Sequence, residues 1–150
     1  MFIFVVGLQQ VVGPSMSPTL KEGNIIIVNK LVYRFKNIQR NDIVVLSQDE
    51  KYMIKRVIGL PGDNIEYKDS YLYVNGIKYK EKFLSNDVVT KDFSLKDLGY
   101  DKIPDNMYLV LGDNRENSLD SRSYGLVSKK NIIGKTFIRI WPIDNFKIFR

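Results

Sequence analysis

The chain has 150 residues and a formal net charge of +6, with 44% apolar and 27% charged residues, which suffices for one domain with a buried core and does not describe a disordered tail. It contains no histidine and no cysteine. A Ser-His-Asp triad, a cysteine nucleophile, a disulfide framework and metal sites built on imidazole or thiolate are therefore excluded.

The positive excess lies in residues 1–58 and 129–150, while residues 59–128 are net acidic. Basic ends suit anionic lipid or nucleic acid, although a solvated surface is the simpler reading for any one lysine. At the start, Phe2–Val6 reads as a strand or as the end of a longer apolar segment. The run is too short to cross a bilayer, which needs about 20 residues, and no charged region precedes it as in a signal peptide.

Further along, Ile25–Val28 and Ile43–Leu46 are short apolar runs bounded by Gly, Asn and Asp, the pattern of strands. Tyr52–Leu60 is another, closed by the turn residues Pro61, Gly62 and Asp63. Ile65–Tyr67 and Tyr71–Val74 flank a polar turn, and Asn75-Gly76 leads into Ile77–Tyr79. Asn-Gly between apolar runs is a strong hairpin signal, so residues 64–80 read as a β-meander ribbon. Ser94–Asp97 before Gly99 predicts one capped helical turn. Met107–Leu111, Ile132–Ile133 and Phe137–Trp141 are apolar again. No 3.6-residue periodicity is sustained. The expected fold is mostly β, with coiled antiparallel sheets forming a barrel-like core. It is one catalytic domain over 1–150, with a less regular ribbon insertion at about 64–106.

Three segments carry unusual chemistry. In Gly13–Leu20, two prolines fix φ on either side of Ser15. Such a turn presents a hydroxyl and its own N–H together, as acyl transfer requires; by itself it reads first as a plain proline-rich loop. In Tyr52–Asp63, strand alternation puts Lys55 on one face with Met53 and Val57. Loss of hydration there lowers a lysine pKa and yields a neutral amine, unless the side chain snorkels from a strand edge. Arg56 falls on the opposite face, toward solvent or in an ion pair. Leu111–Gly125 is a polar loop in which Asp120 and Arg122, two apart, are placed to pair along one face of an extended segment.

Together these segments resemble the type I signal peptidases, on the Gram-positive side of that family. Gly-Pro-Ser-Met-Ser-Pro-Thr-Leu is similar to the nucleophile box, and Ile-Lys-Arg-Val-Ile-Gly-Leu-Pro-Gly-Asp to the general-base box. Gly-Asp-Asn-Arg-Glu-Asn-Ser-Leu-Asp-Ser-Arg is similar to a third box. Arg40–Val45 resembles the segment between, with Asn41 where Gly is usual; Asn tolerates the positive φ such a turn needs. The resemblance runs in order over nearly the whole chain, to Ile133–Lys135 and Trp141-Pro142.

The resemblance implies Ser15 as nucleophile and Lys55 as general base. It implies Ser118 as the hydroxyl orienting the lysine, an Asp120–Arg122 ion pair, and Asp113 as a further supporting carboxylate. The oxyanion would be held by the Ser15 N–H. Gly13 stands where some members carry a second, serine donor, and Met53 where an aromatic is common. The implied substrate is a secretory preprotein cut after small residues at −1 and −3, with Val11, Met16, Leu20, Met53 and Ile54 as candidate pocket walls. No metal or cofactor and no nucleic acid is implied. The implied place is the cell membrane, with the catalytic domain on the extracytoplasmic face and contact with lipid through Phe2, Phe4 and the neighbourhood of Met16. The competing readings are another serine-lysine peptidase, an inactive homologue that keeps the fold, and a basic β-barrel binding nucleic acid. The first is weakened by the Gly-Asp-Asn-Arg box, the second by the presence of both Ser15 and Lys55. The third rests on charge and tyrosine content alone.

Overall fold

The computed structural model describes residues 6–150. The strand expected at Phe2–Val6 lies outside them, apart from Val6, which opens β1 (Val6–Gln10). There follow β2 (Ile25–Asn29), the short helix α1 (Val32–Phe35), β3 (Ile43–Gln48) and β4 (Lys51–Gly59). Next come β5 (Ile65–Lys68), β6 (Tyr71–Val74), β7 (Ile77–Tyr79) and β8 (Phe93–Ser94). The chain closes with β9 (Met107–Leu111), α2 (Ser121–Tyr124), β10 (Val127–Ser128), β11 (Ile132–Trp141) and β12 (Lys147–Ile148).

Eight strands form one sheet, in the order β1-β2-β11-β3-β4-β9-β10 with β12 pairing on β11, and four form a second, β7-β6-β5-β8. The fold is mostly β and antiparallel, as expected. The two apolar runs at Ile132–Ile133 and Phe137–Trp141 are one strand, β11, whose pairing with β2 and β3 shifts register at several points. Such bulges bend a strand and increase its twist.

Both faces of the large sheet are covered, which is why β3 reads as an unbroken apolar run and not as an alternation. Ile43 and Val45 pack with Ile26, Val28, Met16 and Leu20 on one side. Val44 and Leu46 pack with Val57, Val110 and Val127 on the other. A third cluster joins the sheets through Ile58, Leu109 and Leu111 of the large one and Ile65, Tyr67 and Leu72 of the small one.

The ribbon predicted at 64–80 is β5, β6 and β7, and β8 extends it to a four-stranded sheet. Its two turns use Asp69 and Ser70, then Asn75 and Gly76, all at positive φ, as the primed hairpin turns demand. The predicted helical turn is the 3-10 segment Leu95–Leu98, with a Ser94–Asp97 capping box and Gly99 at positive φ closing it.

Candidate active site

Ser15 stands in the turn that leaves β1. Gly13 begins that turn at φ +82, a conformation open chiefly to glycine. Ser17 N–H donates to the Pro14 carbonyl at 3.0 Å and Leu20 N–H to Met16 at 2.9 Å. Val11, Met16 and Leu20 lie below in the core with Ile26 and Val28. The turn is thus anchored by its apolar residues and leaves Ser15 at the surface of the cleft. The Ser15 N–H makes no hydrogen bond among the described residues.

β4 brings Lys55 to this turn. Its Nζ lies 2.8 Å from Ser15 Oγ and 3.3 Å from the Ile54 carbonyl, and the residue is only 4% exposed. Met53 and Val57, on its face of the strand, belong to the apolar cluster of β3 and β9. Burial lowers the Lys55 pKa from its ordinary value, while the charge of Asp120 pulls it back upward. Burial prevails, because an ammonium loses its hydration there and gains no direct carboxylate contact.

The polar loop after β9 closes the third side. Asn114 N–H donates to the Ser15 carbonyl at 2.9 Å, and Asn114 Nδ2 to the Pro14 carbonyl at 3.1 Å. Gly112 is bare for a steric reason: a methyl there would overlap Ser118 Oγ and the Ser15 carbonyl. Asp120 is fully buried. It accepts from Gly112 N–H at 3.0 Å and from Arg122 Nε and Nη2 at 2.9 and 2.8 Å. Burial alone would raise its pKa, but the hydrogen bonds from Arg122 and Gly112 and the Arg122 charge bring it below the ordinary carboxylate value. The pair is not on an extended segment, as expected from spacing. Asp120 is the N-cap of α2, also accepting from Arg122 N–H at 3.2 Å, so the guanidinium folds back over its own helix start.

Ser118 is brought close to this group without joining it. Its hydroxyl is near enough to Asp120 to favour the ionised carboxylate, yet it is buried with no hydrogen-bond partner. It therefore makes no bond to Lys55.

Asp113 faces the other way, under the nucleophile turn. Arg56 holds it with Nε at 2.9 Å and Nη2 at 2.7 Å, and Thr19 Oγ1 donates to it at 2.5 Å. Of the two sequence expectations for Arg56, the ion pair is realised and solvent exposure is not. The guanidinium is buried, stacked 3.9 Å over the Phe83 ring and bonded to the Asn41 carbonyl at 3.0 Å. Asn41 takes the expected positive φ of 76.

A shallow cleft of about 120 Å³ runs beside Ser15 and Lys55, walled by Val12, Val45, Tyr52, Met53 and Ile54. Met53 and Ile54, two of the expected pocket walls, line this cleft. Val11, Met16 and Leu20 do not: they face the core. Apolar residues flanking a turn serve either purpose, and only the direction of the turn separates them. Sequence reasoning also missed Thr19, Asn114 and Val45. The first two donate hydrogen bonds across the turn and loop, and no local pattern signals that pairing.

Arg115 ties the loop to the second sheet. Its Nε donates to the Gly112 carbonyl at 3.0 Å. Its Nη1 donates to Tyr67 Oη and Thr90 Oγ1, each at 3.1 Å, and Nη2 pairs with Glu81 at 2.8 Å. Glu81 in turn accepts from the Tyr67 hydroxyl.

The family described as "Signal peptidase, peptidase S26" matches residues 1–141. The chain is 52% identical to signal peptidase I V of Bacillus subtilis, over 83% of this chain and 80% of that protein. It is 42% identical to signal peptidase IB of Staphylococcus aureus, over 96% of this chain and 82% of that protein. Among solved structures it is similar to a signal peptidase I from Enterococcus faecalis, with a TM-score of 0.61 and 37% identity, covering 67% of this chain and 97% of that one.

Proposed function

The chain belongs to the signal peptidase S26 family, serine peptidases that remove signal peptides from secretory preproteins, and from that premise we propose that Ser15 is its nucleophile and Lys55 its general base. The observation that carries this is the 2.8 Å approach of Lys55 Nζ to Ser15 Oγ at a lysine whose pKa is lowered by burial.

Neutral Lys55 takes the proton from Ser15 Oγ as the oxygen attacks the scissile carbonyl. The oxyanion that forms is met by the unoccupied Ser15 N–H. The Lys55 ammonium then protonates the leaving amine, which departs with the mature protein. The signal peptide remains as an ester on Ser15. Lys55 next deprotonates a water, which hydrolyses that ester.

The substrate's backbone has a place to bind. β3 pairs with Lys51–Arg56, whereas β9 begins its pairing at Arg56, so the other edge of Tyr52–Lys55 is open to an added strand. The small cleft walled by Val45, Met53 and Ile54 fits small side chains at −1 and −3. Asp120, held by Arg122, keeps a fixed negative charge near Lys55.

The site works at a membrane, on the extracytoplasmic face. The support is the free edge strand β1, where Val6, Leu8 and the following Val12 are exposed beside the cleft. Phe2 and Phe4, also expected to touch lipid, lie outside the described residues. Among those residues no helix is long and apolar enough to cross a membrane.

The test is cleavage of a preprotein with an Ala-x-Ala site, in detergent, by wild type, Ser15→Ala and Lys55→Ala. Cutting after the second Ala by wild type alone supports the dyad. Cleavage that persists in either variant overturns the assignment.

A further inference from the structure

Away from the cleft, four cations gather round one hollow. Lys30, at the end of β2, and Arg34, in α1, face Lys129 and Lys130 across a cavity of about 540 Å³. None of the four is in a salt bridge among the described residues. No carboxylate lines the hollow, and its floor is apolar, with Ile38, Ile132 and Ile133. The nearby Asp42 is already engaged by Lys135 at 3.0 Å and by the Tyr33 hydroxyl at 2.9 Å.

The backbone carrying these cations is pinned. Asn29 Oδ1 accepts from Leu31 and Val32 N–H, both at 3.0 Å, fixing the chain beyond Lys30. Lys129 N–H donates to the Asn106 carbonyl at 2.8 Å, fixing the lysine pair. Like charges held around a hollow repel one another, and the repulsion is relieved when an anion enters.

Two further facts say what kind of anion. Phe35, which follows Arg34 in the chain, is 84% exposed, a large aromatic left in water next to a residue that lines the hollow. Lys30 also lies across β1: a side chain at Gly7 would meet its stem. Val6 pairs with Asn29, next to Lys30, and Val6 and Leu8 of that strand are 44% and 70% exposed. Cations, an exposed aromatic and the exposed apolar side chains of β1 lying close together match the layered chemistry of an anionic bilayer surface, with phosphate outermost and hydrocarbon beneath.

We propose that Lys30, Arg34, Lys129 and Lys130 form a binding site for the phosphate of an anionic phospholipid headgroup, with Phe35 entering the bilayer beside it. This deepens the membrane reading above and rests on it. The site orients β1 and its cleft at the lipid surface, where a membrane-held substrate arrives.

The test is sedimentation of the full chain with vesicles of phosphatidylcholine, with and without phosphatidylglycerol. Each cation near an anionic surface contributes roughly fivefold to partition. Lys129→Gln with Lys130→Gln therefore lowers binding to the anionic vesicles on the order of twentyfold. Lys91→Gln with Lys102→Gln removes the same charge from exposed loops bordering the second sheet and lowers it much less. Phe35→Ser weakens binding to both vesicles. Equal losses from the two lysine pairs, or binding indifferent to phosphatidylglycerol, overturn the proposal. Release of the wild type by millimolar glycerol phosphate overturns it too, by making the ligand a free phosphate ester and not a bilayer. Cleavage of a soluble Ala-x-Ala peptide in detergent stays at the wild-type level in all these variants. Its absence in the wild type would count against the peptidase reading and leave the vesicle result intact.

Discussion

The Ser15 carbonyl accepts a 2.9 Å hydrogen bond from the backbone N–H of Asn114, which fastens the nucleophile turn to the polar loop from the far end of the chain. That approach is possible because Gly112 carries no side chain where Ser118 Oγ and the Ser15 carbonyl crowd it. Gly112→Ala is expected to push turn and loop apart. Overpacking of this kind costs about 1–3 kcal/mol. Cleavage should fall far more than stability, because Ser15 Oγ then leaves the reach of Lys55. Thermal unfolding and kcat on one preprotein measure both; an unchanged kcat would show that the turn is not held this way.

Ser118 separates stability from activity in the opposite manner. Its hydroxyl is buried and unpartnered, so Ser118→Ala removes an unsatisfied group and should leave stability unchanged or raise it by about 1 kcal/mol. If the hydroxyl orients Lys55 once substrate is bound, kcat drops at least tenfold with KM little altered. A variant as fast as wild type would restrict Ser118 to packing.

Much of this geometry is legible in the sequence where the information is local. The turns at Asp69-Ser70 and Asn75-Gly76 and the Ser94–Gly99 cap declare themselves because residue type and backbone conformation are tied at those positions. The burial of Lys55 follows from strand alternation with Met53 and Val57. What the sequence hides is direction and distance. Val11, Met16 and Leu20 are apolar near the nucleophile, but whether they face cleft or core depends on which way the turn at Gly13 sends the chain. Arg56 finds Asp113, and Arg115 finds Glu81, only because segments distant in sequence meet in three dimensions. Residues 81–105 read as polar and irregular, yet they supply Glu81 and Thr90 to Arg115 and β8 to the second sheet.

The Arg115–Glu81 pair joins the second sheet to the catalytic loop with side chains that are 0% and 9% exposed. Removing one member of a buried pair strands the other charge, at a cost of about 3–5 kcal/mol. Glu81→Ala should therefore destabilise the protein by that order. Adding Arg115→Ala should cost much less than a second independent loss, since the stranded charge goes with it. Denaturant unfolding of the two single variants and the double variant gives the coupling. Additive losses would mean that the pair does not act as a unit.

Lys55 makes a pH prediction whose sign is fixed by its surroundings. Its folded-state pKa is lowered from 10.5 by burial, against the opposing pull of Asp120. The neutral amine is the active form, so kcat/KM should rise with pH along a limb centred below the ordinary lysine value. Asp120→Asn removes the charge that holds the ammonium on and should move that limb to lower pH. The same shift bears on stability. Between the folded pKa and 10.5 the unfolded chain binds more protons, so stability climbs with pH across that window and levels off below it. Lys55→Met, which needs no such deprotonation, should abolish cleavage and raise the melting temperature. The gain should be largest at and below the folded pKa and shrink as pH approaches 10.5. A melting-temperature difference that stays flat across this window would mean that Lys55 titrates like an exposed lysine and is not held as a neutral base.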